Sequence, residues 1–398
     1  MKELKHLIYF ENLLEDANNE LVRKAEAEGD LAIGYTCFHA PEVLLNLGNC
    51  FSVRLRAPHT NSMELATYYM ANNSCEFSRA LLERALEGSY AFLHAMIGVD
   101  VCEANNRAIE NMEILHTQGE DKDKFFYCNL DIPYSDDEDC VEHIREQVSR
   151  KILKPLHENY GIDTSDDAIR AAVSEHNEVC RILTEIGELR KLDIPPITGY
   201  EYAVLVLVSY TCPKRLILPY LRETLEEIKS RKTDAEKDYR VRVVVVGSEI
   251  DDPQLIKLIE GCGALVVADR YCYGSLPGRE EIEIREGESA LTAVARHYLS
   301  TSECPRFMNK EKQVQRRGYL KQLVNDYDAD GVLYLQMKFC EFWSYERVMG
   351  VHDMNDVEGI PCIGVEKEYT MASAGQLRTR FQAFVESIEI KKIQGGKM

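Results

Sequence analysis

Five cysteines occupy places in this chain where a thiol can do chemistry. Cys37 and Cys102 close runs that read as strands, 31–36 and 91–101. Cys340 stands just beyond a third, Val332 to Met337, and Cys272 a few residues past a fourth, 264–268. Cys75 opens a strong helical pattern, Glu76 to Leu86, with Asn72-Asn73-Ser74 as capping candidates. A thiolate at a helix start is stabilised by the unpaired N–H groups and the dipole. Open α/β sheets collect their ligands outside the carboxyl ends of strands, so these positions point to one shared edge where soft ligands could hold a metal or an inorganic cluster. No Cys-x-x-Cys occurs, and spacing alone names no iron–sulfur site. The alternative is a set of buried small hydrophobes, a reading that suits Cys50, Cys128, Cys180 and Cys362.

Other familiar chemistries are missing. Neither Gly-x-x-x-x-Gly-Lys-Ser/Thr nor Gly-x-Gly-x-x-Gly follows a strand, and Gly247-Ser248 and Gly274-Ser275-Leu276-Pro277-Gly278 read as plain turns. There is no Gly-x-Ser-x-Gly elbow and no His-Glu-x-x-His, and the ten histidines are scattered singly.

The elements that must position the cysteines follow from periodicity. From Tyr239 onward strands at 241–246, 264–268, 332–337 and 361–365 alternate with helices at about 253–260, 288–300, 309–327 and 375–388, the pattern of a doubly wound parallel sheet. The first part alternates less regularly, with strands at 31–36, 51–55, 91–101 and 124–130. Between them, helices from about 135 to 235 form a connecting region; Ala203 to Val208 is too short an apolar run to assign by period. The expected organisation is an α/β domain at 1–134, a mainly helical region at 135–235 and a second α/β domain at 236–398.

A length of 398 residues suits two or three domains, and 45% hydrophobic with 29% charged residues describes a globular chain. A net charge of −20 argues against nucleic-acid or anionic-membrane partners; Arg316, Arg317 and Lys321 read as a solvated helix face. No run reaches the ~18 apolar residues of a membrane span, and no signal-peptide pattern is visible at Met1, so the expected location is the cytoplasm. In a reducing compartment thirteen cysteines are no disulfide framework, which adds weight to metal or redox chemistry.

Several short segments together carry a family resemblance. Lys338-Phe339-Cys340-Glu341-Phe342-Trp343 resembles the Lys-Phe-Cys-Asp motif of the 2-hydroxyacyl-CoA dehydratase and benzoyl-CoA reductase family. Gly34-Tyr35-Thr36-Cys37-Phe38-His39-Ala40-Pro41-Glu42, Ser74-Cys75-Glu76-Phe77-Ser78-Arg79 and Asp100-Val101-Cys102-Glu103 match it in order. So do Asp269-Arg270-Tyr271-Cys272-Tyr273-Gly274, Glu303-Cys304-Pro305, Ala329-Asp330-Gly331-Val332 and Gly375-Gln376-Leu377-Arg378-Thr379-Arg380.

The resemblance implies two Rossmann- or flavodoxin-like domains and a [4Fe–4S] cluster on Cys75, Cys102 and Cys340, with one iron open to substrate. It also implies a homologous second subunit, an ATP-hydrolysing iron–sulfur activator and an acyl-CoA substrate. The expected reaction is loss of water from an (R)-2-hydroxyacyl-CoA to an enoyl-CoA, through a ketyl radical after one-electron activation. Cys37 and Glu42 are candidates near the open iron, Cys37 equally as a packed core residue. Val43 replaces the usual second acid of Pro-Glu-Glu and Glu341 the usual Asp, which leaves substrate class and subunit role open. Alternatives are a subunit that reduces an aromatic acyl-CoA and a cluster-bearing electron carrier or non-catalytic partner. A double-cubane protein is a further one; that type has an extra cysteine between the positions of Cys75 and Cys102, where this chain has Gly88-Ser89-Tyr90.

Overall fold

The computed structural model of the protein describes residues 1–117, 124–233, 237–275, 280–301 and 304–394. The expected boundary at 235/236, Leu276 to Gly278 of the glycine turn and Glu303 of the Glu-Cys-Pro motif lie outside them.

Two four-stranded, wholly parallel sheets form the frame. The first contains β1 (Leu31–Tyr35), β2 (Cys50–Arg54), β3 (Ala95–Asp100) and β4 (Phe126–Asp131), in the order β2-β1-β3-β4. The second contains β5 (Val241–Gly247), β6 (Ala264–Tyr271), β7 (Gly331–Met337) and β8 (Cys362–Lys367), in the order β6-β5-β7-β8. The two orders are the same pattern repeated. In each the direction of winding reverses once, between β1 and β3 and between β5 and β7, and the crevice beyond those strand ends is where doubly wound sheets bind ligands.

Strands β5 and β7 are buried at all seven positions, as their near-continuous apolar composition requires of a sheet covered on both faces. The exception in β5, Arg242, is satisfied by the carbonyls of Tyr327, Arg190 and Leu192 at 2.8–3.0 Å. At the carboxyl end of β5 only glycine fits. A Cβ on Gly247 would lie 2.2 Å from the Leu335 carbonyl oxygen.

Between the sheets run the helices Glu138–Val148, Lys154–Tyr160, Asp166–Glu188, Gly199–Thr211 and Lys214–Ser230. The stretch 135–160, expected as one helix, is interrupted by a π-helical turn at Ser149–Leu153 just before Pro155, a residue that has no N–H for a regular ladder. The ambiguous run 203–208 is helical: it lies in Gly199–Thr211, started by a capping box of Thr198 and Glu201. That helix is apolar all round because it packs against β2 and β6 at once. One hydrophobic core accordingly runs through both sheets, joining Phe51 and Val53 to Val243, Val245 and Leu333. Ile282 and the helix Ala290–Ser300 cross over to pack with Ile33, Ile97 and Leu130 of the first sheet.

Candidate functional site

Both crevices carry sulfur. Cys37 follows β1 by two residues and Cys102 follows β3 by two; Cys340 follows β7 and is the N-cap of the helix Glu341–His352. The helix Glu76–Leu86 begins where its periodicity predicts, but its N-cap is Cys75 itself, with no side-chain capping bond, and not one of Asn72, Asn73 and Ser74. Cys272 comes directly after β6, and Cys304 lies in the loop before the helix Lys310–Asp326. All thirteen cysteines are free, and Cys50, Cys128, Cys180 and Cys362 are buried in the way of small hydrophobes.

These six gather around a carboxylate that sequence reasoning did not single out. Glu249, two residues past β5, raises the pKa of Cys37, Cys75, Cys102, Cys272, Cys304 and Cys340 by its charge. The signal available in the sequence was its place in the loop Gly247-Ser248-Glu249 immediately after a buried strand. Burial holds the Glu249 carboxyl above its ordinary range, and its Oε2 is buried without a hydrogen-bond partner. Ser248 fixes the loop. Its N–H donates to the Leu335 carbonyl (3.1 Å), its Oγ accepts from the Met337 N–H (2.6 Å) and its carbonyl accepts from the Cys272 N–H (3.3 Å). One hydroxymethyl residue thus ties together the ends of three strands, which is why Gly247-Ser248 is a splice and not a phosphate cradle.

Within the group, Cys102 feels Cys75 and Cys37, and Cys340 feels Cys75 and Cys102. Cys272 feels Cys304 and Cys37. The expected trio Cys75, Cys102 and Cys340 is therefore brought into one electrostatic neighbourhood. Burial is the main reason all six thiols stay protonated, with Cys75 and Cys304 pushed up to about 12. Opposing it at Cys75 are the backbone N–H groups of Ser78 and Phe77, at Cys102 that of Asn105 and at Cys340 that of Trp343. A soft metal would displace the thiol protons and ionise these sulfurs. Among the described residues no three His, Cys, Asp or Glu side chains form a group that could hold a single metal ion.

A cavity opens among Cys37, Cys102, Cys272, Cys304, Glu249 and Arg54. Arg54 is 2% exposed; its Nε donates to the Thr36 carbonyl (3.2 Å) and its guanidinium lies 3.9 Å from the Tyr273 ring centroid. Phe339, next to Cys340, has φ 64°, a left-handed backbone that aromatic residues avoid.

Glu42 is elsewhere. It lies outside the lining of that cavity and is buried in an ion network, where Lys214 donates to it, Ser52 Oγ donates to its Oε1 (2.6 Å) and His176 Nδ1 lies 3.3 Å from its Oε2. The basic cluster is also accounted for. Arg316 is buried against Glu346 (3.0 Å), Arg317 pairs with Asp353 and Lys321 with Glu358. In the Asp269-to-Gly274 motif, Asp269 binds buried Arg190 (2.9 Å) and accepts from the Ser275 N–H (2.6 Å), so the turn after Cys272 is anchored inside the protein.

A second, larger cavity of about 630 Å³ lies on the other side of the 249–253 loop, lined by Arg56 and Thr60 from the first half of the chain and by Asp251, Lys257, Tyr369 and Arg378 from the second. Tyr369 joins the two regions: its hydroxyl donates to Asp251 (2.6 Å) and its N–H to Glu76 (2.8 Å), the residue after Cys75. No described helix is long and apolar enough to cross a membrane.

Comparison with known proteins gives a consistent result. The family model for the 2-hydroxyglutaryl-CoA dehydratase D-component matches residues 37–388. The (R)-phenyllactyl-CoA dehydratase beta subunit of Clostridium sporogenes is 22% identical over 379 residues, 95% of this chain and 97% of that protein. A benzoyl-CoA reductase subunit of Thauera aromatica is 22% identical over 322 residues, 79% and 80% of the two chains. The lactoyl-CoA dehydratase beta subunit of Anaerotignum propionicum is 21% identical over 373 residues, 92% and 93% of the two.

Proposed function

Because the chain belongs to the 2-hydroxyglutaryl-CoA dehydratase D-component family, we propose that it is a core subunit of a 2-hydroxyacyl-CoA dehydratase, with Cys75, Cys102 and Cys340 as ligands of a [4Fe–4S] cluster. The supporting observation is that these three thiols, from two helix starts and a strand end, lie within electrostatic reach of one another and of Glu249. The donor set fits the group. Three soft sulfurs with backbone N–H groups aimed at them suit an iron–sulfur core, and several irons need their ligands more widely spaced than one ion does. When bound, such a cluster would supply reversible low-potential one-electron chemistry, the electron lent to the thioester being returned after water is lost, so that the net change is dehydration to an enoyl-CoA.

The chain's own residues have separable tasks in this reading. Phe77, Ser78, Asn105 and Trp343 direct backbone N–H groups at the sulfurs and stabilise their charge. Glu249, its carboxyl held above the ordinary range by burial, leaves Oε2 without a hydrogen-bond partner. The 630 Å³ cavity is of ligand size, and Lys257 and Arg378 on its wall offer positive charge to the phosphates of coenzyme A. A homologous second subunit, an ATP-dependent iron–sulfur activator and a cytoplasmic location complete the proposal, as does the division at 134/135 and 235/236.

The test is anaerobic purification with iron and sulfide analysis, then assay with an activator. Water loss from (R)-2-hydroxyacyl-CoA thioesters and a Cys340→Ser variant without the reduced-cluster resonance are expected. An unchanged cluster signal in Cys340→Ser would end the assignment. The likeness to a benzoyl-CoA reductase subunit favours one second reading, reduction of an aromatic acyl-CoA, which the same assay separates.

A further inference from the structure

We propose that Lys367 is the hydrogen-bond donor that holds the carbonyl oxygen of a bound thioester, an inference that rests on the acyl-CoA reading above. Lys367 ends β8 and stands opposite Met337, the last residue of β7, in the register of the second sheet. Its carbonyl accepts from the Lys338 N–H (2.8 Å), which fastens this strand end to the segment that presents Cys340. The residue is 6% exposed. Lys338, the lysine of the Lys-Phe-Cys motif, behaves otherwise: it is partly exposed and pairs with Glu368 (3.1 Å).

Among the described residues Lys367 is the one buried lysine or arginine whose side chain has neither a hydrogen bond nor an ion pair. The others are held: Lys214 by Glu42, Arg190 by Asp269, Arg316 by Glu346, and the rest by a carboxylate or by backbone carbonyls. An ammonium carries three N–H donors, and burying it with none of them used is unfavourable, so an acceptor from outside the protein is its natural complement. The surrounding charge says which kind. Glu249, Asp251, Asp252 and Cys75 all act on Lys367. With carboxylates already around it, a further full anion such as a phosphate would be repelled. A carbonyl oxygen, neutral at rest and more negative once an electron is lent to the thioester, is accepted and then held more strongly. The position agrees. Asp251 and Asp252 line the 630 Å³ cavity, as does Tyr369 two residues on, while Cys75 is one of the proposed cluster ligands. Lys367 thus stands where the acyl end of a ligand in that cavity would meet the sulfurs. It donates a hydrogen bond and keeps its proton throughout.

The experiment is ligand binding by the anaerobically purified full-length protein. The probes are acetyl-CoA, isotopically labelled at the carbonyl carbon, and S-ethyl-CoA, a thioether without that oxygen. The wild type is expected to bind acetyl-CoA about ten-fold tighter than S-ethyl-CoA. The infrared carbonyl stretch of the bound thioester should lie below its value in water. Lys367→Met is expected to weaken acetyl-CoA about ten-fold, leave S-ethyl-CoA unchanged and raise the carbonyl stretch. Iron content and circular dichroism should stay as in the wild type, and Lys367→Gln, which keeps an N–H donor, should lie between the two. A wild-type stretch no lower than in water overturns the proposal without any variant, and so does an equal loss of both probes in Lys367→Met. Wild-type protein that binds neither probe overturns the acyl-CoA reading as well, whereas equal affinity for both overturns this inference alone.

Discussion

Phe339 illustrates how the site is held at the scale of single residues. Its φ of 64° lets the chain leave β7 and present Cys340 at the first turn of the next helix. A left-handed conformation costs an L-residue roughly 1–2 kcal/mol, least for Asn and most for a β-branched side chain. Phe339→Asn is therefore expected to keep wild-type stability within about 0.5 kcal/mol, and Phe339→Val to lose roughly 1–2 kcal/mol in urea melts. Equal stability of the two variants would show that the backbone relaxes. The motif Lys338-Phe339-Cys340 was legible in the sequence as chemistry, whereas the strain within it was not, because nothing local requires Phe at positive φ. Glu249 was illegible for a related reason: an acid in a polar loop looks solvated until its neighbours are known.

At the scale of elements, the site depends on how the connecting helices grip the first sheet. Glu42, on the short 3-10 turn Glu42–Asn46, is bound by Lys214 from one helix and His176 from another. Removing one partner of a buried ion pair leaves an uncompensated charge, so Lys214→Met is expected to cost about 3–5 kcal/mol. His176 adds a pH dependence. Burial opposes its charge, but Cys180 (Nε2 to Sγ, 3.4 Å) and Glu42 outweigh burial and lift it from 6.5 to about 9. A raised folded-state pKa means that its contribution is complete below 6.5 and is lost as pH rises through about 9. His176→Gln should thus cost more stability at pH 6.5 than at about pH 10; identical losses at both would show that the imidazolium is not what binds. Strand and helix positions were mostly evident from period and composition. The run 203–208 was not, since a fully buried helix and a buried strand have the same apolar content, and only its contact with both sheets decides.

For the whole molecule, the relatives are themselves named as subunits of larger enzymes, which fits a chain that works with a partner. The helix Glu341–His352, which starts at Cys340, leaves Tyr345, Val348 and Met349 68%, 59% and 46% exposed at helical spacing. A homologous partner over that face would bring its own site close to this one. Native mass spectrometry is expected to show a heteromeric assembly that Tyr345→Asp with Val348→Asp disrupts while leaving iron content intact. An assembly indifferent to both substitutions would move the interface elsewhere.

By itself the sequence determined the α/β class, the alternation of elements and the placing of cysteines at strand ends and helix starts. Those features follow from side-chain period and local backbone preference, which neighbours in the chain set. Only the tertiary structure decided that both sheets share one strand order, so that the ends of β1 and β3 and those of β5 and β7 become two crevices. It also decided that four thiols line one cavity with Glu249, that Glu42 lies outside that lining and that the helix Ala290–Ser300 joins the first sheet's core. Such meetings depend on contacts between residues hundreds of positions apart, and no local pattern encodes which distant surface will bury a given face.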